Sequence, residues 1–146
     1  MSTRSGKLLM EAQHSHWHPL SERMREVAAS GVLGDIRHID AHFDAPVADT
    51  GHELRYDHGV GGGALWDLGT YPAHWIRSVL GTDWHVARTT QRRHAGGADI
   101  ATEAHLVAPG GATARLACAM DADFAATLTV AGTRGQLAIT NPMVPL

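Results

Sequence analysis

Asp67, Tyr71 and His74 place a carboxylate, a phenol and an imidazole at i, i+4 and i+7 within the stretch GVGGGALWDLGTYPAHW, residues 59–75. On a helix each residue advances about 100°, so this spacing puts all three on one face. Such a face can pass protons to and from a bound molecule. Tyr71, Asp67 and His74 are therefore the candidate catalytic residues, expected to line one cavity. An ordinary solvated helix face is the competing explanation of the same stripe.

The glycines before the stripe suggest a second chemistry. GVGGGA fits the dinucleotide fingerprint G-x-G-x-x-A. That fingerprint needs a buried apolar strand just before it and an acid on a second strand about 20 residues on. Residues 53–58 are polar, and Gly81-Thr82-Asp83-Trp84 reads as a turn. The glycines are instead expected to let the chain turn and pass close to another group before a helix begins. No residue is assigned to cofactor binding.

Two histidine groups offer a third chemistry. His14, His16 and His18 alternate, and so do His38, Asp40 and His42. On adjacent strands they could ligate zinc or another transition metal, but no H-E-x-x-H or paired-cysteine pattern accompanies them. No metal ligand is assigned. A polar sheet face that meets a substrate or partner is the plainer explanation.

The elements that must hold these residues follow from periodicity. Lys7 to Ala12 reads as a strand. Pro19 opens an amphipathic helix with Leu20, Met24, Val27 and Ala28 on one stripe, ended by Gly31. Ile36 to Phe43 alternates as a strand, with Arg37, Ile39, Ala41 and Phe43 on one face and Ile36, His38, Asp40 and His42 on the other. Residues 45–63 read as loop. Ala64 to Leu80 is the longest expected helix, loosened at Pro72, which removes a backbone donor. Strands follow at 84–91, 100–108, 112–120, 125–131 and 136–140, with turns at Pro109-Gly110-Gly111 and Gly132–Gly135. Early helices and late strands predict an α+β fold, an open mostly antiparallel sheet with helices packed on one face.

Composition narrows the function further. At 146 residues the chain suits one domain. A net charge of −3 and scattered basic residues give nothing to attract nucleic acid or an anionic membrane. A single cysteine, Cys118, allows no internal disulfide, which fits a reducing compartment. Leu8-Leu9-Met10 is too short an apolar run for a signal peptide or a membrane span. A soluble cytoplasmic protein is expected.

Six blocks in order carry a resemblance. They are Leu8–Ala12, His18-Pro19, Gly31–Ile36, Arg55-Tyr56-Asp57, GGGALWDLGTY at 61–71 and Gly132–Gly135. Together they resemble the C-terminal domain of the Gfo/Idh/MocA oxidoreductases, in the branch of the dihydrodiol and xylose dehydrogenases. The resemblance implies an open sheet with helices on one face, the other face often packed against a partner subunit. It also implies that NAD(P) sits on a separate N-terminal Rossmann domain in complete members, with a sugar or polyol between the domains. Tyr71 then matches the family's acid/base tyrosine, Asp67 the acid one turn earlier and His74 a substrate-side position. His16, His18, Arg55 and Trp75 are the expected substrate contacts, although many relatives carry arginine where His16 stands. The Glu-Lys-Pro segment whose lysine neighbours that tyrosine is absent.

One domain over residues 1–146 is thus expected, truncated at its C-terminal end and without a Rossmann domain. A homodimer through the sheet face is expected too, because apolar strand residues there would need cover. The first functional reading is a substrate-binding and dimerisation domain of an NAD(P)-dependent oxidoreductase, with no cofactor bound by this chain alone. The second is a stand-alone enzyme that reuses the cavity for proton transfer, elimination or cyclisation. A non-enzymatic binding module is the third.

Overall fold

A computed structural model describes residues 2–143. Its element order is α1 (Ser2–Ser5), α2 (Pro19–Ala29), β1 (Ile36–Asp44), α3 (Ala64–Asp67), α4 (Thr70–Leu80), β2 (His85–Arg93), β3 (Asp99–Val107), β4 (Thr113–Ala119), β5 (Ala125–Gly132) and β6 (Gln136–Ile139). Three short 3-10 turns lie at His14–Trp17, Leu54–Tyr56 and His58–Val60. The six strands form one sheet in the order β2-β3-β4-β1-β5-β6. Only β1 and β4 run parallel. The other neighbours are antiparallel. The expected α+β architecture is the observed one.

Period-two alternation decides what each sheet face carries. Ile39, Ala41 and Phe43 of β1 face the helices with Ala114, Leu116 and Cys118 of β4 and Leu128 and Val130 of β5. Trp75 and Ile76 of α4 and Met24 of α2 close this core from above. Burial pushes the Cys118 thiol up to about 12, so it is an inert core group. The uncovered face corrects one expectation. It carries no stripe of Val, Leu and Ile, because the alternation sends those side chains inward. Ala117, Ala119, Thr127 and Thr129 lie there among charged residues.

The expected strand at Lys7–Ala12 does not form. The segment pairs with no strand among the described residues, and Leu8 is 84% exposed. Extended backbone needs a neighbour to become a strand, and this fold supplies none there.

The helix expected over 64–80 is two helices. Pro72 has no N–H for the Leu68 carbonyl, and its ring crowds that carbonyl. Leu68 O accepts instead from Tyr71 N at 3.2 Å, while Gly69 N reaches back five residues to Ala64 O at 2.9 Å. Gly69 permits the tight passage, since a Cβ there would lie 2.7 Å from Leu65 O. Asp67 therefore ends α3, whereas Tyr71 and His74 belong to α4.

Candidate functional site

The glycine turn is built for packing. A Cβ on Gly62 would lie 2.5–2.7 Å from the carbonyl oxygens of Leu54, Arg55 and Asp57. Gly63 has φ +142 and rests against the Asp99 carboxylate. Asp99 is buried, and its Oδ2 accepts from Leu65 N at 2.9 Å and from Thr102 Oγ1 at 2.6 Å. The first turn of α3 thus already holds a protein carboxylate, where a phosphate-binding turn would leave its N–H groups open. The residues of this turn do not fit a dinucleotide.

Asp67 faces Arg55. Arg55 donates from Nε to Asp67 Oδ2 at 2.8 Å and from Nη1 to Glu53 Oε1 at 3.1 Å. Asp67 foremost, with Glu53, holds the guanidinium above its ordinary value. The pair borders a hollow of about 230 Å³ with Gly61–Gly63 and Trp66, a residue 71% exposed.

Tyr71 sits one turn on. Its ring stands edge-on to Phe43 at 5.5 Å and to His14 at 5.6 Å. Among the described residues its hydroxyl has no hydrogen-bond partner. Burial, then the charges of Asp67 and Glu11, raise the phenol above its ordinary value. It is therefore a protonated donor at neutral pH.

His74 meets His16, whose Nδ1 lies 2.9 Å from His74 Nε2. Burial foremost, then His16, Arg77 and Arg25, lower His74 below the usual imidazole value. His74 lines a separate groove of about 490 Å³ with Glu11, Gln13, Thr70, Ala73 and Arg77. The expectation of one shared cavity is thus corrected. The break at Leu68–Gly69 turns Asp67 toward the Arg55 hollow and His74 toward the groove.

Two expected substrate contacts have structural places. His18 caps α2, its Nδ1 accepting from Leu20 N at 3.1 Å. Trp75 is 2% exposed and packs in the core, which corrects its assignment as a substrate contact. Its place on the apolar stripe of α4 is the physical reason. Sequence reasoning missed Gln13, the one described non-glycine residue with positive φ, and the placement of His14 beside Tyr71. No local pattern announces either. Arg77, at i+3 from His74, was visible from spacing alone.

The histidine groups lie apart. His14 and His16 belong to a 3-10 turn beside α4, whereas His38 and His42 lie on the uncovered sheet face. Among the described residues no group of three or more histidine, cysteine or acidic side chains could hold a metal ion. The uncovered face is instead laced by ion pairs. Arg115 bridges Glu103 at 2.8 Å and Asp40 at 3.2 Å, and His42 Nε2 meets Asp44 Oδ2 at 2.6 Å. No helix among the described residues is long and apolar enough to cross a membrane.

Comparison with known proteins places this geometry. The family model described as GFO/IDH/MocA C-terminal domain matches residues 21–138. The chain is 32% identical over 142 residues to dTDP-3,4-didehydro-2,6-dideoxy-alpha-D-glucose 3-reductase of Streptomyces antibioticus, covering 96% of this chain and 43% of that protein. It is 34% identical over 138 residues to trans-1,2-dihydrobenzene-1,2-diol dehydrogenase of Macaca fascicularis, covering 94% of this chain and 41% of the relative. A 3-ketoreductase from Actinomadura kijaniata, solved with NADP and TDP-benzene, matches with a TM-score of 0.88 at 30% identity, over 99% of this chain and 44% of that one. An aldose-aldose oxidoreductase from Caulobacter crescentus, solved with glycerol, matches at 0.86 over 97% of this chain and 44% of its own, and at 20% identity it shows the fold alone. The chain spans 41–43% of the length of these two curated relatives.

Proposed function

The chain belongs to the GFO/IDH/MocA C-terminal-domain family, and from that premise we propose that it is the substrate-binding and dimerisation domain of an NAD(P)-dependent sugar or polyol oxidoreductase. In this reading residues 1–146 form one domain that works beside a separate nucleotide-binding domain. The glycine turn, filled by its own carbonyls and by Asp99, supports leaving the nucleotide to that other domain.

Tyr71 carries the reading. Among the described residues its hydroxyl has no partner, and its surroundings keep it protonated at neutral pH. It suits the role of general acid that hands a proton to a carbonyl oxygen as the carbonyl becomes an alcohol. Asp67, tied to Arg55, sets the charge beside that phenol. His16 and His74, whose rings meet at 2.9 Å, are assigned to a substrate's hydroxyl groups. The sheet face of alanine, threonine and paired charges is assigned to a second copy. A cytoplasmic location accords with the single buried thiol.

The test is a chimera. The chain is joined behind the nucleotide-binding domain of the Actinomadura kijaniata 3-ketoreductase and assayed for NADPH consumption with keto- and aldo-sugars. The chimera is expected to turn over at least one sugar class, and the chain alone none. A folded chimera that binds NADP yet is inert to every sugar would sink the proposal. So would micromolar NADP binding by the chain alone.

A further inference from the structure

The groove on the His74 side has a character that the proton-transfer role leaves unused. Three of its wall residues, Thr70, His74 and Arg77, stand one turn apart along α4, and Gln13 and Glu11 face them. Arg25 of α2 bears on the same imidazole. Among the described residues neither Arg25 nor Arg77 has a carboxylate partner, and Arg25 Nη1 is buried with no acceptor. The charges that act on His74 are all basic: His16, Arg77 and Arg25. The single acid on the wall, Glu11, bears on Tyr71. Guanidinium groups without acceptors beside a close imidazole pair make an incomplete ion-pair site. Gln13 holds a left-handed backbone at the rim, with φ +35. Strain of that kind persists where surrounding structure enforces it, and it clusters at ligand sites.

The geometry points to an oxyanion subsite in this groove, taking a phosphoryl or carboxylate group of the ligand between Arg77 and the His16–His74 pair. The assignment rests on the substrate-domain reading and deepens it, by giving the substrate a negative charge remote from the reacting carbon. A bound oxyanion would favour the imidazolium form of His74, so binding takes up a proton and tightens as pH falls.

Ring-proton NMR on the whole chain tests this, with His74 assigned through His74→Gln. Titration with inorganic phosphate and, separately, with gluconate is expected to move the His74 and His16 ring signals and to raise the pH at which His74 titrates. Arg77→Ala is expected to weaken the response about tenfold, and Arg77→Lys to restore part of it. Glu11→Gln, on the exposed rim, is expected to tighten it. A stronger response to phosphate identifies a phosphoryl group, and a stronger response to gluconate a carboxylate. Rings that stay unmoved by both anions would overturn the assignment, as would a response that Arg77→Ala leaves undiminished. Equal binding of neutral glucose would overturn it too, while leaving the substrate-domain reading to the chimera.

Discussion

Arg55 and Asp67 are twelve residues apart in sequence and 2.8 Å apart in space, joining a 3-10 turn to the last residue of α3. Both side chains are partly exposed, so the pair adds at most about 1 kcal/mol to stability. Its larger effect is to offset the Asp67 charge that bears on Tyr71. Arg55→Ala is expected to leave the urea midpoint nearly unchanged and to move the ionisation of Tyr71 further upward. Ultraviolet titration, with Tyr71→Phe as the reference, reads that shift. A Tyr71 ionisation unmoved by Arg55→Ala would separate the pair from the phenol.

Tyr71→Phe keeps the ring against Phe43 and His14 and removes only the hydroxyl. In the chimera it is expected to lower turnover about 10²–10⁴-fold in the reduction direction. Circular dichroism melts should superimpose on those of the parent. Turnover kept within a factor of about two would remove Tyr71 from the acid role.

His74 makes stability depend on pH. Its folded-state value lies below its unfolded one, so below the ordinary imidazole value of 6.5 the unfolded chain binds a proton that the folded chain resists. The stabilisation is complete above that pH and is lost as pH falls from it toward the lower folded value. Urea unfolding across this window should show a falling midpoint that is flatter in His74→Gln. Parallel slopes in the two proteins would contradict the assignment.

Much of the frame was legible because period-two strands and a proline-started helix are local signals. β1 was expected at 36–43 and lies at Ile36–Asp44, and β5 was expected at 125–131 and lies at Ala125–Gly132. The Asp67–Tyr71–His74 stripe was legible as chemistry but not as geometry. Proline marks a loosened turn, yet whether a helix bends or breaks is decided by what the freed Leu68 carbonyl finds, and it finds Tyr71 N. The Trp75 assignment set aside its place on the apolar stripe of α4, where it is buried. The partners of the glycine turn were illegible in another way, since Asp99 reaches Gly63 from β3 across 36 residues.

Gly62 is crowded rather than twisted. The expected need for special backbone angles holds at Gly61 and Gly63, whereas Gly62 lacks a positive φ and is hemmed in by three carbonyl oxygens. Gly62→Ala is therefore expected to cost about 1–3 kcal/mol through overpacking, read as a lower urea midpoint. A neutral Gly62→Ala would mean that this turn yields readily.

The sheet face is the expected dimer surface. Light scattering should give about twice the 15.6 kDa chain mass. Thr127→Arg, on an exposed position of β5, should return the monomer with an unchanged spectrum. A parent protein that runs as a monomer at micromolar concentration would refute the assignment.

The placement of β1 between β4 and β5 governs how the chain can be made. Phe43 must wait for Cys118 on one side and Ala126 on the other. A ribosome releases the first third of this sequence with the apolar edge of Ile39, Ala41 and Phe43 already complete and neither neighbouring strand yet synthesised. Contacts of that sequence separation make folding slow and leave a nascent chain prone to stick to others. The central strand of this sheet is therefore the segment most in need of a chaperone during translation, and synthesis halted before residue 113 would yield a sticky fragment rather than a smaller domain.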